Sequence, residues 1–356
     1  MRCITWDHAT ARISILPIPT LITDCHVLVQ VHALSLGRFD VEDVYNVSKY
    51  SKSKKKGIGC DFSGVVVSSG AGCVKFAFGD QVVGMVLNPF LESTCADYVM
   101  LAEGLCTGKP SNVTHLEAVS VIFDGMLAER VLRLSKACDI DALLLSGGSS
   151  NFARVIIQMA KSSMFGVEWI ASTVKGIEDR IFAESIGSDE TFDVECNNGD
   201  WSKPFENGIN KKEYEIVIDL IGDSRHCKKL VATCTKGRFV SLCSKPTPSE
   251  LLSFDSRVGS GWLSATYRRL LAYPSLGSIL TGSRNRENKY IYQTVLPSGD
   301  GEILERIFVL IEAGILTPLV EKNIYTFENI SEAVLAVKMD PFSRGRFVVC
   351  TDAGLV

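Results

Sequence analysis

The chain has 356 residues, 46% hydrophobic and 22% charged, with a formal net charge of −4 at pH 7. That length suits two domains with a core each, and the slightly acidic balance gives no general attraction to nucleic acid or acidic membranes. No run approaches the roughly 18 apolar residues a membrane span requires. The opening MRCITWDHATARISIL reads as strand and turn, without the apolar region of a signal peptide or an Arg-rich presequence. Twelve cysteines are scattered with no C-x-x-C pair, which indicates free or buried thiols in a reducing, cytoplasmic compartment.

In chain order, Val27–Ala33 (VLVQVHA) alternates as a strand. His32 within it reads as a core or hydrogen-bonded histidine, since no partner stands at metal spacing. Lys49–Lys56 is a charged, solvated loop. Val65–Val67 and Gln81–Val86 are strands, with Gly70, Gly72, Gly79 and Gly84 at the tight turns and close approaches of a small barrel. Ala142–Leu145 is a short apolar run of the kind a buried parallel strand needs. Gly147 and Gly148 turn the backbone, Ser149, Ser150 and Asn151 offer N-cap side chains, and Phe152, Val155, Ile156 and Met159 form one apolar helix face. Strand, tight turn and helix N-terminus make the phosphate-binding corner of a dinucleotide fold, with Gly147 to Phe152 as the cradle.

Further along, Val167–Ser172 reads as the second strand, after the crossover a right-handed βαβ unit needs. A helix over Ile177–Ser185 ends at Gly187. Glu215–Leu220 is the third strand and leads into Asp219-Leu220-Ile221-Gly222, and Lys236–Leu242 is another of the same kind. Lys289–Leu296 alternates as an edge strand, whose unpaired backbone groups point to a homodimer joined there. At the end of the second strand an NAD site places a carboxylate. Here Ser172, Thr173 and Lys175 stand there, with Arg180 following, a set that suits a 2′-phosphate and favours NADPH over NADH.

The spacing Gly59-x-Asp61-x-x-Gly64-x-Val66-x-x-x-Gly70, closed by Gly79-Asp80-x-Val82-x-Gly84, resembles the medium-chain dehydrogenase/reductase family. Gly301–Val349 is similar to that family's closing helix, strand, amphipathic helix and final strand. The whole is most similar to the zinc-independent quinone reductase and zeta-crystallin branch, and Tyr290–Gly299 to its mitochondrial reticulon-interacting subgroup. The resemblance implies an α/β chain: a GroES-like β-barrel catalytic domain over residues 1–122, a doubly wound parallel Rossmann sheet over 123–301, and a return to the catalytic domain over 302–356. It matches Asp219-x-x-Gly222 to the family's D-x-x-G, so that Ile221, Gly222 and Leu242 join the cofactor site, and it offers Tyr45 and Tyr50 as proton donors. Zinc members carry a Cys near Gly37 and a His-Glu pair at Cys60-Asp61; with those ligands missing, the expectation is no metal.

Five positions depart from the branch: Gly37, Leu127, Ser150, Asp179 and Val194 stand where it has cofactor contacts. Two readings follow. One is an NADPH-dependent reductase of a small quinone or activated enone, with a mitochondrial setting as the alternative to a cytoplasmic one. The other is a non-catalytic member serving as a scaffold or complex subunit.

Overall fold

The computed structural model describes residues 1–7, 10–20, 23–38, 40–41, 57–86, 93–138, 140, 142–196, 200–203, 212–223, 225–227, 230, 237–242, 283–284, 290–292 and 299–351. Lys49–Lys56, Tyr45 and Tyr50 lie outside them. The chain folds as two compact units, Met1–Met126 with Pro297–Val356, and Leu127–Leu296.

The first unit holds a hairpin of β1 (Arg2–Asp7) and β2 (Thr10–Ile15), and a larger sheet. Its strands are β3 (His26–Leu36), β4 (Asp61–Ser69), β5 (Gln81–Met85), β6 (Tyr98–Ala102), β7 (Cys106–Gly108), β15 (Val320–Thr326) and β16 (Arg346–Cys350). The sheet runs β15-β16-β3-β4-β5-β7, with β6 also on β3. The eleven-residue β3 organises it, pairing β4 on one side while β6 and β16 take its first and second halves on the other. Helices α4 (Gly301–Glu312) and α5 (Ile330–Met339) belong to this unit. Helix α1 (His115–Leu134) begins in it with a capping box, in which Thr114 N and Oγ1 donate to Glu117 Oε2 and Glu117 N donates to Thr114 Oγ1.

The second unit contains β8 (Ala142–Ser146), α2 (Asn151–Lys161), β9 (Trp169–Val174), α3 (Gly176–Ser185), β10 (Glu190–Asp193), β11 (Ile216–Asp219), β12 (Arg238–Ser241), β13 (Ser283–Arg284) and β14 (Tyr290–Tyr292). The order is β10-β9-β8-β11-β12-β14-β13, parallel except for β13. Strand order reverses between β8 and β11, the switch point where doubly wound sheets bind ligands beyond the strands' carboxyl ends.

Three expectations change. The second strand starts at Trp169 rather than Val167 and runs on to Val174, because Val167 N donates back to Ala160 O to close the preceding helix. Helix α2 is covered well beyond one face: Ala153, Ile157 and Ala160 are buried with Val155, Ile156 and Met159, while Phe152 is only half-buried. The strand expected as the edge, β14, is paired on both sides, parallel to β12 and antiparallel to β13. Among the described residues β13 takes the outer position beside Tyr290–Tyr292, while residues 289 and 293–296 of the expected edge strand lie outside the described residues. Among the described residues no helix is long and apolar enough to cross a membrane.

Strand β8 is buried at all five positions. Leu144, fully buried in the cluster with Val217, Phe239 and Trp201, is therefore expected to cost about 2–5 kcal/mol when truncated in Leu144→Ala. Chemical denaturation of wild type and variant measures this.

Candidate functional site

In the second unit the turn after β8 is built by its neighbours. Gly147 has φ of 90°, and its N–H donates to Thr173 Oγ1 at 2.9 Å. Gly148 N donates to Thr173 O at 2.8 Å. A Cβ on Gly147 would come 2.5 Å from Ile221 Cγ2, and one on Gly148 would overlap the Ser172 side chain. Both positions must therefore be bare backbone. Ser150 is the N-cap of α2, its Oγ accepting from Ala153 N at 3.1 Å. Asn151 and Phe152 open the helix, and Asn151 Oδ1 accepts from the buried Arg154 guanidinium at 2.7 Å.

The opposite wall is the loop after β11. Buried Asp219 accepts three backbone N–H groups at one oxygen, from Ile221 (3.2 Å), Gly222 (2.8 Å) and Asp223 (2.9 Å), and Ser241 Oγ at the other (3.2 Å). Leu242 N donates to Asp219 O at 3.0 Å, which ties the end of β12 to the same loop. Gly147, Gly148, Ile221 and Gly222 thus meet at the switch point. Two successive glycines opening an eleven-residue helix fit a nucleotide phosphate group.

The residues expected to present hydroxyls to a 2′-phosphate do something else. Ser172 is fully buried with its Oγ 2.6 Å from Ser188 Oγ, and buried Thr173 spends its hydroxyl on Gly147 N–H. Both are turned inward, because each stands within the buried strand β9 and not beyond its end. Lys175 and Arg180 remain. Lys175 is exposed and 3.4 Å from Glu195, and Arg180 has a buried Nε with no hydrogen-bond partner among the described residues.

The five departures have local reasons. Ser150 caps α2, and Asp179 reaches back to Lys175 N at 3.4 Å, at the start of α3. Val194 donates to Val174 O and packs on the cluster around Trp201, and Leu127 is buried in α1. A side chain at Gly37 would overlap the Arg346 guanidinium.

That guanidinium lies in the first unit, on a residue with only 7% exposure. Its Nε donates to Ser35 Oγ at 3.0 Å and its Nη1 to Asp124 Oδ1 at 3.2 Å, while Nη2 is 3.8 Å from Asp40 Oδ2. Ser35 in turn donates from N (2.8 Å) and Oγ (2.6 Å) to Asp61. Burial pushes the Asp61 carboxyl up to about 7, against the pull of Arg346 and Ser35. Burial also raises the Cys60 thiol well above its ordinary value, so it stays protonated at neutral pH. Nearby, His115 Nδ1 is 2.6 Å from Ser63 Oγ and its ring is 4.6 Å from that of His32; burial lowers both imidazoles, His115 to about 4. Sequence reading singled out none of Ser35, Asp40, Asp124 and Arg346 as site residues, because they are scattered from position 35 to 346 with no local motif.

Residues 23–138 match the model described as "Alcohol dehydrogenase GroES-like domain", and residues 186–349 the one described as "Zinc-binding dehydrogenase". The chain belongs to the medium-chain dehydrogenase/reductase superfamily. Within that superfamily it sides with the branch of the quinone oxidoreductases and the mitochondrial reticulon-interacting oxidoreductases. It is 23% identical over 357 residues to NAD(P)H oxidoreductase RTN4IP1, mitochondrial, of Bos taurus, covering 93% of this chain and 83% of that protein. It is 26% identical over 233 residues to 2-methylene-furan-3-one reductase of Solanum lycopersicum, covering 64% and 57%. The quinone oxidoreductase of Coxiella burnetii shares the fold at a TM-score of 0.72 with 20% identity, covering 98% of this chain and 99% of that one.

One family description implies zinc, and this member's residues do not fit it. Gly37 brings no donor where the family has a Cys, and Asp61 accepts from Ser35 N and Oγ and faces a guanidinium. No group of three metal-capable side chains occurs among the described residues.

Two outcomes are expected. Ser150→Ala should cost about 0.5–2 kcal/mol through the lost cap, and Ser150→Gly only a few tenths, by denaturant unfolding. Asp61, raised in the fold from an ordinary 3.8 to about 7, binds more protons folded than unfolded. Its contribution to stability is thus complete below its ordinary value and lost as pH rises through about 7. Melting temperatures from about pH 4 to about pH 8 should show this decline in wild type and a flatter profile in Asp61→Asn.

Proposed function

We propose that this chain is a nicotinamide-dependent oxidoreductase that prefers NADPH to NADH and reduces a small quinone or activated enone without zinc. The observation that carries the reading is the bare turn at Gly147 and Gly148, opening a capped helix at the switch point of a parallel sheet. The names of the bovine and tomato relatives, an NAD(P)H oxidoreductase and a reductase of a methylene-furanone, support it. The bovine relative's name also supports a mitochondrial setting over a cytoplasmic one.

In this reading the bound nicotinamide supplies hydride. The chain binds and orients. Gly147, Gly148 and the first turn of α2 hold the phosphates, with Ser149, Ser150, Asn151 and Phe152 forming that turn. Ile221, Gly222 and Leu242, held by Asp219, form the facing wall. Arg180, with its buried unpaired Nε, is the stronger candidate for a 2′-phosphate, since Lys175 is shared with Glu195. Tyr45 and Tyr50 are kept as proposed proton donors.

The inward-turned hydroxyls of Ser172 and Thr173 leave fewer cofactor contacts than the family pattern and favour the scaffold as the second reading. Calorimetric titration with NADPH and NADH separates the two. Wild type is expected to bind NADPH more tightly. Arg180→Met should lose a charge-assisted contact of about 1.5–3 kcal/mol, at least roughly tenfold in NADPH affinity, while NADH binding stays the same. Absence of binding of either nucleotide at millimolar concentration would sink the enzyme reading and leave the scaffold.

A further inference from the structure

Three separate stretches of the first unit converge on the Arg346 guanidinium at the start of β16: the end of β3 with the residues after it (Ser35, Gly37, Asp40), the start of β4 (Asp61) and α1 (Phe123, Asp124). Three carboxylates surround it. Asp124 meets Nη1 at 3.2 Å, Asp40 is 3.8 Å from Nη2, and Asp61 is joined to Nε through the Ser35 hydroxyl. The Phe123 ring lies under the planar group, 5.1 Å from its carbon. Nη2 is buried and has no hydrogen-bond partner among the described residues, so its tie to Asp40 is purely an ion pair. Gly37 has no side chain where one would strike the guanidinium, and its N–H instead orients Asp40 at 2.8 Å.

This is donor chemistry that holds a cation, arranged for a flat fork and not for a point. The acids address different nitrogens, whereas zinc needs every donor at about 2.0–2.3 Å from one centre. Three buried carboxylates without a counter-charge would be strongly destabilising. We propose that the cluster is a cation site filled by the chain's own Arg346, which pairs with Asp40 and Asp124, reaches Asp61 through the Ser35 hydroxyl, and closes the first unit to the zinc named in the family description. Arg346 acts here as a positioning residue: it holds Gly37, Asp40 and the start of β4 against α1.

The test is cation rescue in the full chain. Arg346→Ala should melt several degrees below wild type. Millimolar guanidinium chloride should restore part of the loss, while urea, of the same shape but uncharged, should not, and wild type should gain from neither. Wild type dialysed against zinc should retain none. Gly37→Ala should lower the melting temperature of wild type and have no further effect on Arg346→Ala. Equal rescue by urea would reduce the site to a packing cavity and overturn the proposal. So would an unchanged melting temperature in Arg346→Ala, or about one zinc retained per wild-type chain. If Arg346→Ala does not fold, Arg346→Lys decides in its place. It keeps the charge without the fork and should fold with a melting temperature below wild type; a melting temperature equal to wild type overturns the proposal. These readouts involve no nucleotide, so they stand or fall separately from the oxidoreductase reading.

Discussion

The backbone that leaves β8 has no room for a side chain, and the second unit is arranged around that constraint. Gly147 turns with positive φ against Ile221, and Gly148 lies against Ser172. Thr173 and Asp219 provide the polar counterparts, Thr173 by accepting the Gly147 N–H at its hydroxyl and Asp219 by gathering three N–H groups of the facing loop. A buried carboxylate is costly unless its oxygens are hydrogen-bonded, and Asp219 is fully provided for. The turn after β8 is therefore a backbone surface held from behind by side chains.

The first unit depends on the opposite kind of interaction, a buried charge. An arginine removed from water needs partners close enough to offset its desolvation, and Asp124, Asp40 and Ser35 supply them on three of its nitrogens. The surplus of carboxylates over guanidinium is relieved by the raised Asp61, which holds its proton up to about pH 7. The cluster ties the ends of β3, β4 and β16 to α1, and loss of one partner leaves a buried charge unpaired.

Much of the fold was legible in local pattern. The all-apolar β8, the helix after it, Asp219-x-x-Gly222 and the N-cap Ser150 carry their geometry within a few residues, so the parallel sheet and the bare turn after β8 were legible in spacing. Other readings failed because the deciding partner was distant. Ser172 and Thr173 look like surface hydroxyls at a strand end until Ser188 and Gly147 take them. Tyr290–Tyr292 looks like part of an edge until two residues, Ser283 and Arg284, pair beside it. Ser150 and Asp179 looked like eroded cofactor contacts, yet each makes a capping bond within its own helix start.

By itself the sequence determined what depends on neighbours along the chain: strand and helix periods, the bare turn, and the absence of a metal-ligand spacing. Only the tertiary structure decided what depends on charges and volumes brought together from afar. Gly37 alone says only that a side chain is missing. Its reason is a guanidinium more than three hundred residues away, and a buried charge is satisfied by distance in space, to which separation along the chain is irrelevant.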